Sequence, residues 1–514
     1  MSILRSLSIL GVLGALASTA RAKDYGYTVL GPDGPVFRHV IEDANASCKS
    51  IELAPKGGTA QKLPMTERFR GSADPNSARG NWPIVVCEKS ISYTDAYAMA
   101  SATIDPDGAR LAVPLPVAKA ERIAVIGDTG CRIKIENKQY AIQPCKDPAK
   151  WPLAKIAGML AAKQPQLVIH EGDYIYRKAD CPNDRSSDCG GSPYGVAWDT
   201  LRAELFEPAA ALLRAAPWAV PRGNHENCAT ERRLEAQGGI AFFILLDPRP
   251  FASVTRTAEL DHYLSFLKPR RAKGDEQQCS ACAEMTPPYV VPVDDDLELW
   301  ILDSNFAEDE VADSPDDTAN DAIAAFAEQF AKLSALSKPN KRAWLVTHRP
   351  LYGLYPGARK KLDLDKPPPL KPINQTLQEA FELAHMDQMT KSFDLALTGH
   401  MHAFQVMQVM DQSSPHAPNI TVGNSGTQLD DHFTKYKDLE VISRTYKLGT
   451  RGPWLPALGF SVSHRFGGLL ITRTQAPYDA ELFDPDGASI AKCAITPGKG
   501  AGVATVTCDE ISEE

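Results

Sequence analysis

The chain has 514 residues, of which 43 % are hydrophobic and 23 % charged, and its net charge is −9 at pH 7. This composition is ordinary for a globular protein, and the length allows roughly two or three domains. The acidic balance, without a long block of one charge, argues against a general binder of nucleic acid or of anionic membranes.

The N-terminus has the pattern of a secretory signal. Arg5 precedes an apolar run from Leu7 to Ala17, and the small residues around Arg21 resemble a cleavage site. A membrane anchor is the alternative, but the run is short for a bilayer span. We therefore expect a signal peptide over residues 1–22, cleavage after Ala22, and a secreted or periplasmic protein with no later membrane span.

All 11 cysteines follow Ala22, and disulfides are expected in an exported chain. Connectivity cannot be deduced from sequence, so pairing by proximity is only a hypothesis. In this hypothesis Cys228 has no partner. The five pairs are Cys48–Cys87, Cys131–Cys145, Cys181–Cys189, Cys279–Cys282 and Cys493–Cys508. The alternative is a reduced intracellular protein with buried thiols.

Residues 23–118 are rich in turn signals and short apolar runs. The turn sequence "PDG" occurs twice, and "WPIVV" (82–86) and "RLAVPL" (110–115) are typical of strands. This pattern predicts a small β-rich, sandwich-like N-terminal domain at 23–118, with a Pro-containing linker near its end.

From about residue 119, strand-like runs alternate with helical ones, which is typical of an α/β domain. Helices are predicted at 150–163, 198–216, 319–336 and 376–388, and strands at "RIAVIG", "QLVIHEGD", "WAVPRGN", "LELWILDSN", "RAWLVTH" and "FDLALTGH". We expect this domain to span 119–475. A hairpin around "DPDG" (484–487) predicts a C-terminal β-hairpin tail at 476–514 that belongs to the same domain.

Five of these strands end in polar residues. The stretches are "GDTG" (127–130), "GDYIY" (172–176), "GNHE" (223–226), "LVTH" (345–348) and "GHMH" (399–402). Each alone is weak, because a Gly-Asp pair is mostly a turn and a lone His is mostly structural. Together they place oxygen and imidazole groups where α/β sheets bind ligands, and such groups suit iron, zinc or manganese.

The five stretches resemble the motifs of the calcineurin-like metallophosphoesterase superfamily, and within it those of the purple acid phosphatases. Those motifs read D-x-G, G-D-x-x-Y, G-N-H-[DE], V-x-x-H and G-H-x-H. Four of the five motifs match in full. The remaining motif, V-x-x-H, has Leu345 where Val is usual. The resemblance implies a four-layer α/β/β/α sandwich, and the first hundred or so residues resemble the N-terminal domain of bacterial members far less specifically.

One position separates the subfamilies. Most relatives carry a metal-binding His two residues after the first Asp, whereas this chain has Gly130. The resemblance implies that Tyr176 replaces the lost ligand, as in the purple group, and a tyrosinate oxygen suits Fe(III) better than Zn(II). The alternative is that Tyr176 is a packed aromatic and that both metals are zinc or manganese.

The resemblance assigns roles to individual residues. It implies that Fe(III) is bound by Asp128, Asp173, Tyr176 and His402, and that a divalent Fe, Zn or Mn is bound by Asp173, Asn224, His348 and His400. His225 would not bind metal but would protonate the leaving group while a metal-bound hydroxide attacks phosphorus. Arg349 and Tyr352 are further candidates near the metals.

These assignments predict a secreted phosphomonoesterase that acts on a small phosphorylated substrate, with no nucleic acid partner. Two alternatives stay open at this stage. One is a phosphodiesterase or nucleotide hydrolase with the same metals, since metal ligands do not determine the substrate. The other is a non-enzymatic exported binding protein on a phosphoesterase fold, although no ligand position is lost.

Overall fold

A computed structural model describes residues 24–71, 82–136, 138–177, 179, 181–182, 188–189, 197–226, 236–250, 285–307, 317–356, 370–387, 389–410, 416–430, 440–447, 454–462, 464–498 and 502–509. The predicted signal peptide lies outside these residues, and so do Cys228 and the proposed Cys279–Cys282 pair. Among the described residues, no helix is long and apolar enough to cross a membrane.

The helices of the described residues are α1 (Tyr93–Ala98), α2 (Leu153–Ala162), α3 (Trp198–Leu201), α4 (Ala210–Ala215), α5 (Ala236–Leu245), α6 (Asp317–Leu336) and α7 (Gln375–Asp387). The segment predicted to be helical, 198–216, is mostly helical but is divided, because a π-helical turn at Arg202–Phe206 follows α3 and ordinary turns precede α4. Pro208 lies in this break, where a proline cannot donate the hydrogen bond that would continue the helix.

The strands, in chain order, are β1 (Asp24–Leu30), β2 (Pro35–Ile41), β3 (Ser50–Pro55), β4 (Gln61–Pro64), β5 (Thr66–Arg70), β6 (Val85–Ser90), β7 (Met99–Ile104), β8 (Leu111–Val113), β9 (Arg122–Ile126), β10 (Ile133–Glu136), β11 (Gln139–Ile142), β12 (Leu167–His170), β13 (Trp218–Ala219), β14 (Tyr289–Pro292), β15 (Leu297–Leu302), β16 (Arg342–Thr347), β17 (Leu354–Pro356), β18 (Leu370–Pro372), β19 (Leu395–Thr398), β20 (Phe404–Val409), β21 (Asn419–Val422), β22 (Glu440–Lys447), β23 (Trp454–Val462), β24 (Gly468–Thr472), β25 (Tyr478–Phe483), β26 (Ser489–Thr496) and β27 (Thr505–Asp509).

Two large sheets hold most of these strands. The first has the order β27-β26-β25-β24-β9-β12-β13-β1-β2-β6-β5, and the second has the order β14-β15-β16-β19-β21-β20-β23-β22. Each is parallel only in its middle, over β9, β12, β13 and β1 in the first sheet and over β15, β16, β19 and β21 in the second. Parallel strands are usually buried on both faces, which agrees with their nearly continuous apolar sequences.

The alternation along β9 shows how the sheets pack. Ile123 and Val125 face an apolar core that lies between the two sheets, whereas Ala124 and Ile126 face a second core with α2, α4 and α5. A third core joins the opposite face of the second sheet to α6 and α7. The α/β region is therefore built from mixed sheets that bury apolar side chains on both faces.

The β-rich N-terminal region is present, and it contributes to the first sheet. Strands β1, β2, β5 and β6 extend that sheet, while β4, β3, β7 and β8 form a separate sheet that packs on β2 and β6. A disulfide between Cys48 and Cys87 joins the connection before β3 to β6. The tail strands β25–β27 extend the opposite edge of the first sheet. The boundaries after residues 118 and 475 stay predictions.

Two buried arginines connect the N-terminal strands to α5 in the α/β region. Arg38 on β2 donates to the carbonyls of Leu245 (2.8 Å) and Asp247 (2.5 Å), and Arg68 on β5 donates to that of Phe243 through Nε (3.0 Å). Both guanidinium groups also pair with Glu88, at 3.2 and 3.0 Å. They thus satisfy carbonyls at the C-terminus of α5, where cations are favourable. Helix α5 in turn packs against the turn at Asn224–Glu226.

Four disulfides lie in the described residues, and all four are pairs expected from the sequence: Cys48–Cys87, Cys131–Cys145, Cys181–Cys189 and Cys493–Cys508. Disulfides persist in oxidising compartments, so these pairs favour a location outside the cytosol. Cys131 lies three residues after Asp128 in the loop that follows β9.

Candidate metal centre

The predicted ligands follow the carboxyl ends of parallel strands in both sheets. Asp128 follows β9, Asp173 and Tyr176 follow β12, and Asn224 follows β13 in the first sheet. The other three come from the second sheet: His348 follows β16, and His400 and His402 follow β19. The structure brings all seven together, where the two sheets meet.

Three of these residues have a backbone conformation that is uncommon for side chains with a Cβ atom. The φ angles of Asp128, Asp173 and His400 are 53°, 56° and 74°. Such left-handed residues persist only where the surrounding structure holds them, and they are concentrated at functional sites. The loops are also closely packed, since a Cβ atom at Gly223 would lie 2.2 Å from the backbone nitrogen of Asp173.

The first half-site consists of Asp128, Asp173, Tyr176 and His402. The Tyr176 hydroxyl is hydrogen-bonded to Asp128 Oδ1, and it lies 2.9 Å from Asp173 Oδ2 and 3.0 Å from His402 Nε2. Each of these four side chains is at least about nine-tenths buried. Tyr176 is therefore in contact with the other members of this half-site and is not a distant packed aromatic.

The second half-site consists of Asp173, Asn224, His348 and His400. Asn224 Oδ1 lies 2.9 Å from His348 Nε2 and 2.8 Å from His400 Nδ1. His348 Nε2 is also 3.2 Å from Asp173 Oδ2. Asp173 is thus shared by the two half-sites, and one ligand atom from each of Asp173, His348 and His400 falls within 4.8 Å of the others.

In two of the histidines, one ring nitrogen contacts a residue that is not among the predicted ligands. His348 Nδ1 lies 2.8 Å from the carbonyl oxygen of Glu171, and His402 Nδ1 lies 3.3 Å from Asp430 Oδ1. Because these partners are acceptors, the proton belongs on Nδ1, and Nε2 presents a lone pair to the site. Metal-binding histidines are typically oriented by such outer partners.

The donor set fits bound cations. The Tyr176 hydroxyl has one proton, yet Asp128, Asp173 and the Nε2 lone pair of His402 all converge on it. In the second half-site, the lone pair of His348 Nε2 faces the oxygens of Asn224 and Asp173. Buried acceptors that face one another are costly unless a proton or cation lies between them. Carboxylate, amide, phenol and imidazole groups are the ligands of zinc, iron and manganese.

The pKa values of two of these groups show which protons a bound cation would replace. Burial and the carboxylates of Asp128 and Asp173 raise the pKa of Tyr176 well above its ordinary value. Burial lowers the pKa of His348, but the Asp173 carboxylate outweighs this effect and raises it to about 9. The protein alone would therefore keep Tyr176 as a phenol and His348 protonated. A tyrosinate and a neutral imidazole both require a cation that replaces these protons.

His225 lies beside the half-sites but makes different contacts. Its ring centroid is 4.3 Å from that of Tyr176, its backbone nitrogen donates to Asp173 Oδ1 (2.8 Å), and its Nε2 is 3.8 Å from Asp173 Oδ2. The imidazole is 9 % exposed. His225 is thus held at the edge of the centre, where it can exchange a proton with a bound molecule.

Two polar residues around the centre were not predicted as functional. Glu226 is fully buried, and its carboxylate accepts four backbone hydrogen bonds, from Asp173, Gly223, Tyr174 and Ile175. The last residue of the "GNHE" motif was the available signal. Asp430 accepts from the backbone nitrogen of His402 at 3.1 Å as well as facing its Nδ1. No local pattern marks Asp430.

The two further candidates differ in position. Arg349 Nη1 lies 3.2 Å from His400 Nε2, so this guanidinium borders the second half-site. Tyr352 is 1 % exposed and lies in the core beneath α6 and α7, with its hydroxyl 3.0 Å from His416 Nδ1. Of the two residues, Arg349 is therefore the one that contacts a predicted ligand.

Comparisons with known proteins agree with this geometry. The family profile described as "Calcineurin-like phosphoesterase" matches residues 121–404, which is more than half of the chain. That range contains every predicted ligand and His225. No curated protein matches the chain with significant similarity. The chain belongs to the calcineurin-like phosphoesterase family, which implies a hydrolase of phosphoric esters that depends on metal ions.

Proposed function

We propose that this protein is a binuclear-metal phosphatase of the purple acid phosphatase type that hydrolyses phosphate monoesters. The observation that carries the proposal is the pair of half-sites that share Asp173, with Tyr176 in contact with both carboxylates and His402. The three apolar cores also support a four-layer α/β/β/α sandwich. The four disulfides support export to an oxidising compartment.

The residues divide between two metals. Asp128, Asp173, Tyr176 and His402 would hold Fe(III), since a phenolate oxygen favours a hard trivalent ion. Asp173, Asn224, His348 and His400 would hold a divalent Fe, Zn or Mn. When bound, such metals lower the pKa of water and neutralise the charge on phosphoryl oxygens.

The chain itself supplies the remaining chemistry. His225 Nε2 is the group placed to donate a proton to the leaving oxygen, because the ring is held by its backbone bond to Asp173 and by contact with Tyr176. Glu226 keeps the loop that carries Asp173 and Tyr176 in place through its four backbone hydrogen bonds. The substrate would be a small phosphorylated molecule, and the net charge of −9 argues against a general binder of nucleic acid.

The test is metal analysis and a visible spectrum of the purified protein, together with rates on 4-nitrophenyl phosphate. We expect iron and a second metal, monoester hydrolysis, and a charge-transfer band that disappears in Tyr176→Phe. Two zinc or manganese ions without colour would contradict the iron assignment and the purple subtype. A protein without bound metal or hydrolytic activity would contradict the proposed function as a whole.

A further inference from the structure

Two arginines border the centre, one at each half-site. Arg349 Nη1 lies 3.2 Å from His400 Nε2, and Arg132 Nη2 lies 3.3 Å from both ring nitrogens of His402. Both arginines are partly exposed, and so is His400, whereas His402 is buried. Each guanidinium group therefore borders one half-site from a partly exposed position.

The backbone of each arginine is fixed. The backbone nitrogen of Arg349 donates to Ser304 Oγ at 2.9 Å. The side-chain Nη1 of Arg349 is also 3.4 Å from Asn374 Oδ1. The backbone nitrogen of Arg132 donates to Gln143 Oε1 at 3.0 Å, and both residues lie in the loop closed by the disulfide of Cys131 and Cys145. Anchored backbones limit where the two guanidinium groups can reach.

The contact between Arg349 and His400 does not suit a histidine that binds metal through Nδ1. A guanidinium only donates, so in this contact His400 Nε2 must accept and its proton must be on Nδ1. Nδ1, however, is the atom that faces Asn224 in the second half-site. If His400 Nδ1 offers its lone pair to a metal in the second half-site, the proton of His400 is on Nε2. The Nε2–H of His400 and the N–H of Arg349 would then be two donors that face each other. An anion bound at the centre can then accept from Arg349 at this position, beside the contact of Arg349 with Asn374.

Arg132 contacts two rings of the centre, and its buried Nε has no hydrogen-bond partner among the described residues. Its Nη2 lies at the same distance from both ring nitrogens of His402 and is not in line with one lone pair alone. The guanidinium group also lies over the Tyr176 ring, with 5.1 Å between the guanidinium carbon and the ring centroid. These contacts hold the guanidinium group beside the first half-site.

The chemistry of two guanidinium groups favours one substrate class. Arginine recognises phosphate through paired hydrogen bonds and a permanent positive charge. A monoester dianion has one more terminal oxygen and one more negative charge than a diester. Fixed positive charges therefore stabilise the monoester more strongly.

We infer that Arg132 and Arg349 bind the phosphoryl group of the substrate and make this centre prefer monoesters to diesters. This inference rests on the proposed phosphatase function and adds two substrate-binding residues to it. It assigns the preference to residues next to the ligands and not to distant loops.

The experiment compares Arg132→Gln and Arg349→Gln with wild-type protein and with Arg214→Gln, which alters an exposed arginine on α4. We measure kcat/KM on 4-nitrophenyl phosphate and bis(4-nitrophenyl) phosphate, the Kd of inorganic phosphate by calorimetry, and the metal content. A charged hydrogen bond of about 1.5–3 kcal/mol corresponds to roughly 10- to 100-fold in affinity or rate.

We expect each of the two variants to lose roughly 10- to 100-fold on the monoester, to lose less than about threefold on the diester, and to bind phosphate about tenfold more weakly. Metal content should equal that of Arg214→Gln. Equal losses on both esters, an unchanged Kd of phosphate, or loss of metal would overturn the inference. A wild-type protein that hydrolyses neither ester would instead overturn the proposed function.

Discussion

A Cβ atom added to Gly130 would lie 2.8 Å from both the Cα and the backbone nitrogen of Ile175. The loop that carries Tyr176 therefore occupies the space that a longer side chain at position 130 would need. A histidine at position 130 would thus require a change in backbone packing as well as in the predicted ligand set. Reverting one position should not restore the other ligand set.

We predict that Gly130→His displaces the loop at 172–176 and loses metal instead of gaining a ligand. Overpacking of this kind typically costs about 1–3 kcal/mol of stability. Differential scanning calorimetry and metal analysis would measure both effects. Gly158→Ala is the control, because a Cβ atom there has nothing within 4 Å and the position is helical. A Gly130→His protein with full metal content and unchanged Tm would contradict the packing argument.

His225 should matter for proton donation and not for metal binding. We predict that His225→Ala keeps its metals and loses about 10²–10⁴-fold in rate on esters with poor leaving groups. The loss should be much smaller on 4-nitrophenyl phosphate, whose leaving group needs little protonation. Metal analysis beside a series of leaving groups checks this expectation. If the variant is short of metal, the assigned role is wrong.

Glu226 should be essential for the geometry of the centre. Its two carboxylate oxygens accept four backbone hydrogen bonds, and two of the donors are Asp173 and its neighbour Tyr174. We predict that Glu226→Ala lowers the free energy of unfolding by about 3 kcal/mol or more, because several buried N–H groups lose their acceptor. The metal content should fall as well.

Glu226→Gln tests the hydrogen bonds more specifically, because it keeps the size of the side chain. Its NH₂ group replaces one carboxylate oxygen and cannot accept from backbone N–H groups. This variant should lose most of the same stability in urea denaturation. Glu207→Gln, at an exposed position after the π-helical turn, should stay within about 0.5 kcal/mol of wild type. Equal stability of the two glutamine variants would show that the four hydrogen bonds do not hold the loop.

The residues that can be predicted from the sequence are those in short blocks at strand ends. Asp128, Asn224 and His348 each follow a strand with a strong apolar signal, so local patterns place them. The Arg132–His402 contact spans 270 residues and depends on how the two sheets meet. No local pattern encodes such a contact.

The N-terminal strands illustrate the same limit at the level of the fold. Their apolar alternation predicts strands, but it does not indicate which sheet they join. Strand β1 pairs in parallel with β13 through Val29 and Trp218, which are far apart in the chain. This pairing depends on packing of whole layers, which local periodicity does not specify.

The link from the N-terminal region to α5 can be tested on one strand. Arg68 is buried and donates to carbonyls at the end of α5, whereas Arg70, two residues later on β5, has a partly exposed side chain. We predict that Arg68→Ala lowers the free energy of unfolding by about 3–5 kcal/mol, because it leaves Glu88 with less compensation and carbonyls without donors. Arg70→Ala should cost about 1 kcal/mol or less. Similar values for both, measured by chemical denaturation, would contradict the link.

The environment of Asp394, which lies outside the metal centre, predicts that the stability of the protein depends on pH. Asp394 is 6 % exposed, neither carboxylate oxygen has a hydrogen-bond partner in the described residues, and the nearest cation, Arg342 Nη1, is 3.9 Å away. Burial raises the pKa of Asp394 to about 6, against the opposing effect of Arg342. Asp296 adds to the increase, and Arg473 opposes it.

The folded protein therefore binds a proton at Asp394 that the unfolded chain has already released. Its favourable contribution is complete below about pH 4, and it is lost as the pH rises through about 6, by about 3 kcal/mol in total. Asp394→Asn cannot ionise, so its stability relative to wild type should be higher at pH 7.5 than at pH 4. Urea denaturation at the two pH values measures this difference. Asp107→Asn, at an exposed carboxylate, serves as control, and a pH-independent effect of Asp394→Asn would show that the carboxyl group is already ionised at pH 4 in the folded protein.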